Sequence, residues 1–137
     1  MYGGIIVKLA ALLLCAAFVV AACTSPTPVI KLDDLWAERE KNKAEFQKKY
    51  TGKDIVVAGT FKDEKPTFDF KGNTKGYEEI NVYGSSIAVL HCLVEEKDAA
   101  SFKDLSKGAG IAVKGKLASA EGDPYPQLRP CTMDLKK

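Results

Sequence analysis

Residues 55–61, Ile-Val-Val-Ala-Gly-Thr-Phe, and residues 111–117, Ile-Ala-Val-Lys-Gly-Lys-Leu, repeat one pattern. Each is a strand-like run with glycine at its fifth position and a large apolar residue two places later. Each follows a helix-like segment that stops at a glycine, Gly52 in the first case and Gly108 in the second. Glycine weakens a strand interior, so its presence there signals a bend, a bulge or a close approach of another backbone. Two such strands predict a small, strongly curled β-barrel.

The N-terminus is not part of that barrel. Its single charge, Lys8, precedes an apolar run from Leu9 to Ala22. At 14 residues the run fits the hydrophobic region of a signal peptide and falls short of a spanning helix. A membrane anchor would require Ile5, Ile6 and Val7 to lengthen the run while Lys8 snorkels. Val20-Ala21-Ala22-Cys23 resembles the lipobox of bacterial lipoproteins: an apolar residue, two small ones, then cysteine. That resemblance implies cleavage before Cys23 and acylation of its thiol. Two or three acyl chains anchor stably, since each buried methylene contributes about 0.8 kcal/mol. The expected organisation is a signal peptide over 1–22, a lipidated cysteine and linker over 23–31, and a folded domain over 32–137. Pro26 and Pro28 keep the linker extended, and its nine residues reach about 28 Å at roughly 3.1 Å each.

Cys15 would leave with the signal and Cys23 would carry lipid, which leaves Cys92 and Cys131. In an oxidising compartment a disulfide is the default for such a pair. Two cysteines and the single histidine, His91, lack the paired spacing of a zinc site. Of the 20 basic residues only Lys8 precedes Cys23, and none of the 18 acidic ones does. The mature chain therefore sits one charge from neutral, which predicts neither a general nucleic-acid surface nor a polybasic membrane patch.

Along the mature chain, residues 33–50 read as one amphipathic helix. Asp33 or Asp34 caps it, and Leu32, Leu35, Trp36, Arg39, Lys43, Phe46 and Tyr50 fall along one side. Trp36 is expected to anchor this helix on the barrel, with the stems of Arg39 and Lys43 covering the edge. After the Gly59 strand, residues 67–70 and 77–83 read as strand pieces around a break at 71–76. Residues 87–94 are apolar on both alternating faces, with Ala88, Leu90, Cys92 and Val94 on one and Ile87, Val89, His91 and Leu93 on the other. A strand of this kind is covered on both sides. Residues 98–107 read as a second helix. Residues 125–135 form the last strand, confined by Pro126 and Pro130 to an edge or a bulged path, with Cys131 pointing inward.

Without its first helix the order is β-β-β-α-β-β, that of the five-stranded OB-fold Greek-key barrel. The fold class expected is mainly β. The chain also resembles the tRNA-anticodon-binding-like OB-fold proteins, a family of bacterial lipoproteins. The resembling residues include Asn42, Ala44, Tyr50-Thr51-Gly52-Lys53, Leu90-His91-Cys92, Leu105-Ser106-Lys107-Gly108, Val113-Lys114-Gly115 and Leu128 with Cys131. The resemblance implies an OB-fold, a lipid anchor and a Cys92–Cys131 link, and implies no activity.

OB-folds bind on the face of strands two and three. Here that region offers Phe68, Phe70, Tyr77 and Tyr83 with Lys71, and Lys65 and Lys75 nearby. The function expected is a membrane-anchored binding module for an envelope protein or small ligand. The alternatives are single-stranded nucleic acid stacked on those aromatics, or an oligosaccharide. Asp69, Glu78 and Glu79 in the same stretch oppose nucleic acid. Aromatics at strand spacing also simply pack. No nucleophile–histidine pair, phosphate loop or cofactor motif appears, so no enzyme, cofactor or metal is expected.

Overall fold

The computed structural model describes residues 26–62, 75–85, 87–119 and 122–134. Its frame is a closed barrel of β2 (Asp54–Phe61), β3 (Tyr77–Tyr83), β4 (Val89–Glu95), β5 (Gly110–Leu117) and β6 (Gln127–Met133). The sheet order is β1-β2-β3-β4-β6-β5, and β2 closes it by pairing with β5. All pairings around the barrel are antiparallel except β4 with β6, which is parallel. This is the OB-fold arrangement, with α3 (Ala100–Lys103) between β4 and β5.

Both strand glycines mark close backbone approaches. A Cβ on Gly59 would lie 2.5 Å from Val82 Cγ1 and 2.9 Å from the Tyr83 carbonyl oxygen. One on Gly115 would strike the Pro130 carbonyl oxygen and come within 3.2 Å of Cys131 Cα. The two glycines lie in one ladder, where Gly59 pairs with Ile111 and Gly115 with Ile55. Without side chains at these points β2 can curl tightly against β3, and β5 against β6.

The core fills the barrel with Ile55, Val57, Val82, Leu90, Val94, Val113, Leu117 and Leu128. Cys92 and Cys131 join inside it as a disulfide, Cα–Cα 5.3 Å, across a separation of 39 residues. Cys131 and Leu128 are both buried although three positions apart. The β5–β6 register shifts between Gly115 and Leu117, and that irregularity changes the strand's parity. Of the edge and the bulged path expected, β6 takes the bulged path, and its place between β4 and β5 is interior.

Several expected bounds move. The single helix over 33–50 is two, α1 (Leu32–Lys41) and α2 (Lys43–Tyr50). Asn42 breaks out of helical geometry at φ −157° and caps α2, its side chain accepting from the Glu45 N–H. Asparagine competes with the helical backbone for its own N–H groups, so an internal cap outweighed the continuing apolar period. Glu38 then ties the halves together, accepting from Lys49 Nζ at 2.5 Å and Tyr50 hydroxyl at 2.7 Å. The Lys49 ammonium holds the Glu38 carboxyl below its ordinary pKa.

Residues 29–31, expected in the linker, form β1 (Val29–Lys31), which pairs in parallel with Val56–Ala58 of β2. The second helix shrinks to the single turn of α3, with Ala99 and Phe102 buried. Ile87, expected within its strand, lies before β4 and is 73% exposed. The expected strand at 67–70 lies outside the described residues.

Candidate functional site

Of the expected binding face, Tyr77 and Tyr83 can be placed; Phe68, Phe70 and Lys71 lie outside the described residues, as does Cys23. Tyr77, Glu79, Asn81 and Tyr83 alternate along the outer side of β3, since Val82 faces the core. The tyrosines sit at opposite ends of that strand, about 20 Å apart at roughly 3.3 Å per residue. Each already carries a cation. The Arg129 guanidinium lies 4.6 Å from the Tyr77 ring centroid, and Lys62 Nζ lies 5.2 Å from that of Tyr83. A base would have to displace these cations before stacking there. Arg129 escaped the sequence reading because the β6 irregularity sets which of its side chains share the β3 face.

The neighbouring outer face of β4 is covered. His91 is 1% exposed and stacks on Tyr125, centroids 5.0 Å apart at 26°. Tyr125 meets Trp36 at 6.0 Å, and the Arg39 guanidinium lies 5.7 Å from the Trp36 centroid. Arg39 is buried, where the sequence pattern expected only its stem to be covered, and Lys43 is exposed. Arg39 donates to the Asp123 carbonyl oxygen and, at 2.9 Å, to Glu40 Oε1. Trp36 is a partly buried anchor. At His91 the second cover that the apolar strand required is therefore Tyr125 of the 122–126 segment, backed by Trp36 of α1.

Burial lowers the His91 pKa from 6.5 to about 4, with the Asp123 carboxylate pulling the other way. The ring is neutral near pH 7, with Nδ1 3.2 Å from Glu79 Oε1. It packs, as its sequence context suggested. In the β3–β4–β6 ladder its direct partners are Asn81 and Gln127, which make a short polar row beneath Tyr125. Among the described residues no three His, Cys, Asp or Glu side chains converge as a metal site would need.

An open concavity lies elsewhere, at the barrel end where β2 finishes. A cleft of about 640 Å³ is floored by Phe61, Ile80, Ala99, Phe102 and Leu105. Its rim carries Lys62, Lys103 and Lys107 together with Glu78, Glu79 and Asn81. Reciprocal backbone bonds hold one wall: Phe61 N–H donates to the Ala109 carbonyl, and Gly108 N–H to that of Phe61. Sequence spacing gave no sign of this cleft, because its floor comes from three separate elements.

The family pattern for tRNA_anti-like proteins matches residues 8–132. The chain belongs to the tRNA_anti-like family. Among solved structures it resembles a protein from Klebsiella pneumoniae subsp. pneumoniae MGH 78578, to which the role of a nucleic acid-binding lipoprotein is ascribed. Identity is 16%, the TM-score is 0.64, and the match covers 79% of this chain and 92% of that one. At that identity the likeness speaks for a shared fold. No curated protein matches. The tRNA_anti-like domain here therefore has an OB-fold barrel, with Tyr125 over His91 on its β4 face and Trp36 of the N-terminal helix behind that ring.

Proposed function

We propose that this tRNA_anti-like chain is a lipid-anchored, extracytoplasmic envelope protein that works by binding and not by catalysis. Cys23 carries the lipid, and the membrane it occupies is the outer one if the source is Gram-negative, since threonine follows the cysteine. The ligand is a protein segment or small molecule, and the cleft between β3 and α3 receives it. One observation carries this choice of site. The strand face that OB-folds ordinarily use is covered at His91 by Tyr125, which Trp36 of α1 backs, and has cations over its tyrosines, whereas the cleft offers an open apolar floor with a mixed charged rim.

A photo-crosslinking residue at Lys103, on the cleft rim, should yield an adduct in cells that the same residue at Lys43, exposed at the start of α2, does not. Identical products from both positions would overturn the cleft assignment. A second reading, single-stranded nucleic acid, draws on the role ascribed to the Klebsiella protein and on the three rim lysines. It requires oligonucleotide affinity that falls steeply as salt rises.

A further inference from the structure

β1 changes where the domain sits relative to its anchor. A linker of nine residues would let the domain hang free, but residues 29–31 are already a strand on the barrel. Only residues 24–28 remain between Cys23 and the folded domain. They reach about 16 Å at roughly 3.1 Å each. The direction of approach is also fixed. β1 is parallel to β2, with Val29 beside Val56, so the chain before Val29 comes from the end of β2 that starts at Asp54.

That end is cationic. Lys53 precedes β2, and Lys116 pairs with Asp54 across the β2–β5 ladder. Lys114 shares the row of Val29 and Val56 on the barrel's outer side. All three lysines are exposed, as is Val29 at 46%, and Asp54 is the acidic residue directly among them. The backbone here is firm: Gly52 N–H donates to the Leu117 carbonyl, and Leu117 N–H to that of Lys53. The cleft lies at the other end of β2, beyond Phe61. The eight residues of β2 separate the two ends by about 25 Å at roughly 3.3 Å each.

We propose that the barrel rests on its own membrane by the Lys53–Lys114–Lys116 end, against anionic phospholipid headgroups, with the cleft facing away. The inference rests on the lipid-anchor reading above. A tether this short leaves the domain within reach of the headgroup layer, and lysines beside an anionic surface are attracted within a Debye length. Val29, exposed next to the tether, adds an apolar contact at the interface. Among the described residues each end of β2 carries three lysines, and the difference lies in their acidic neighbours: the cleft rim sets Glu78 and Glu79 beside Lys62, Lys103 and Lys107, whereas the tether end sets Asp54 beside Lys53, Lys114 and Lys116.

The test uses the full-length protein purified from membranes in detergent and reconstituted into phosphatidylethanolamine vesicles with or without phosphatidylglycerol. An amine-acetylating reagent followed by mass spectrometry reads each lysine. In phosphatidylglycerol vesicles Lys53, Lys114 and Lys116 should label at least about threefold more slowly than in detergent, and high salt should narrow the difference. Lys103 and Lys107 should label alike in both. Equal labelling of the two ends in an acylated, vesicle-bound protein would overturn the orientation and leave the anchor standing. A chain with no acyl mass that fails to float with the vesicles would remove the anchor, and the orientation with it.

Discussion

Acidification should destabilise this protein through His91, and the size of the effect follows from the burial of its ring. In the unfolded chain the imidazole takes up a proton near its ordinary value of 6.5, whereas in the fold burial holds it to about 4. Below 6.5 the unfolded state binds a proton that the native state refuses, so stability falls as pH drops from 6.5 toward 4 and is fully present above 6.5. At about 1.4 kcal/mol per unit, a difference of this size removes at most about 3 kcal/mol across that window. Relaxation of the Tyr125 stack around a charged ring would reduce the figure. Urea unfolding of the wild type and His91→Gln at a series of pH values isolates the term, because the carboxylates titrate in both proteins. The wild-type curve should lose about 2–3 kcal/mol more than the variant between pH 7 and pH 4. Parallel curves would show that the ring is solvated or already protonated in the fold, and would refute the account of α1 and Tyr125 as its cover.

Breaking the Cys92–Cys131 bond, by reduction or by replacing both residues with alanine, should lower stability by about 4 kcal/mol in the chain-entropy account, read as a shift of the denaturant midpoint. Gly59→Ala should cost about 1–3 kcal/mol by the same measurement, because its methyl group would meet Val82 and the Tyr83 carbonyl and the curl of β2 would have to open.

How far the sequence could be read depends on the range over which each signal acts. The barrel was legible because glycine at the fifth position of two runs is a local mark of a close approach, and both approaches occur, at Val82 and Pro130. The disulfide was legible from compartment and count. The two-sided burial of residues 89–94 was legible from a run that is apolar except at His91. What escaped depends on other segments. β1 is three residues whose strand character comes from the β2 edge they join. The break at Asn42 lay inside a periodic stripe, where one capping side chain overruled the pattern. The cleft and the Arg129–Tyr77 pair needed the register of strands far apart in sequence.

The N-terminal helix reorganises what this barrel has to offer. An OB strand face binds when it is open, and here Tyr125, backed by Trp36 of α1, lies over its His91 position. The Asp33 carboxylate accepts from the Ser85 N–H at 2.9 Å, pinning the start of the helix to the β3–β4 turn. Arg39, two turns on, donates to the Asp123 carbonyl and fixes the loop that carries Tyr125. These ties hold both ends of the helix, and Leu32 and Leu35 are buried in the core cluster. Lifting α1 would expose that apolar surface and break the tie from Arg39 to the Asp123 carbonyl, so the helix belongs to the fold and does not act as a removable lid. On the binding function proposed above, the ligand uses surface that this cover leaves free, and the cleft past Phe61 is such a surface.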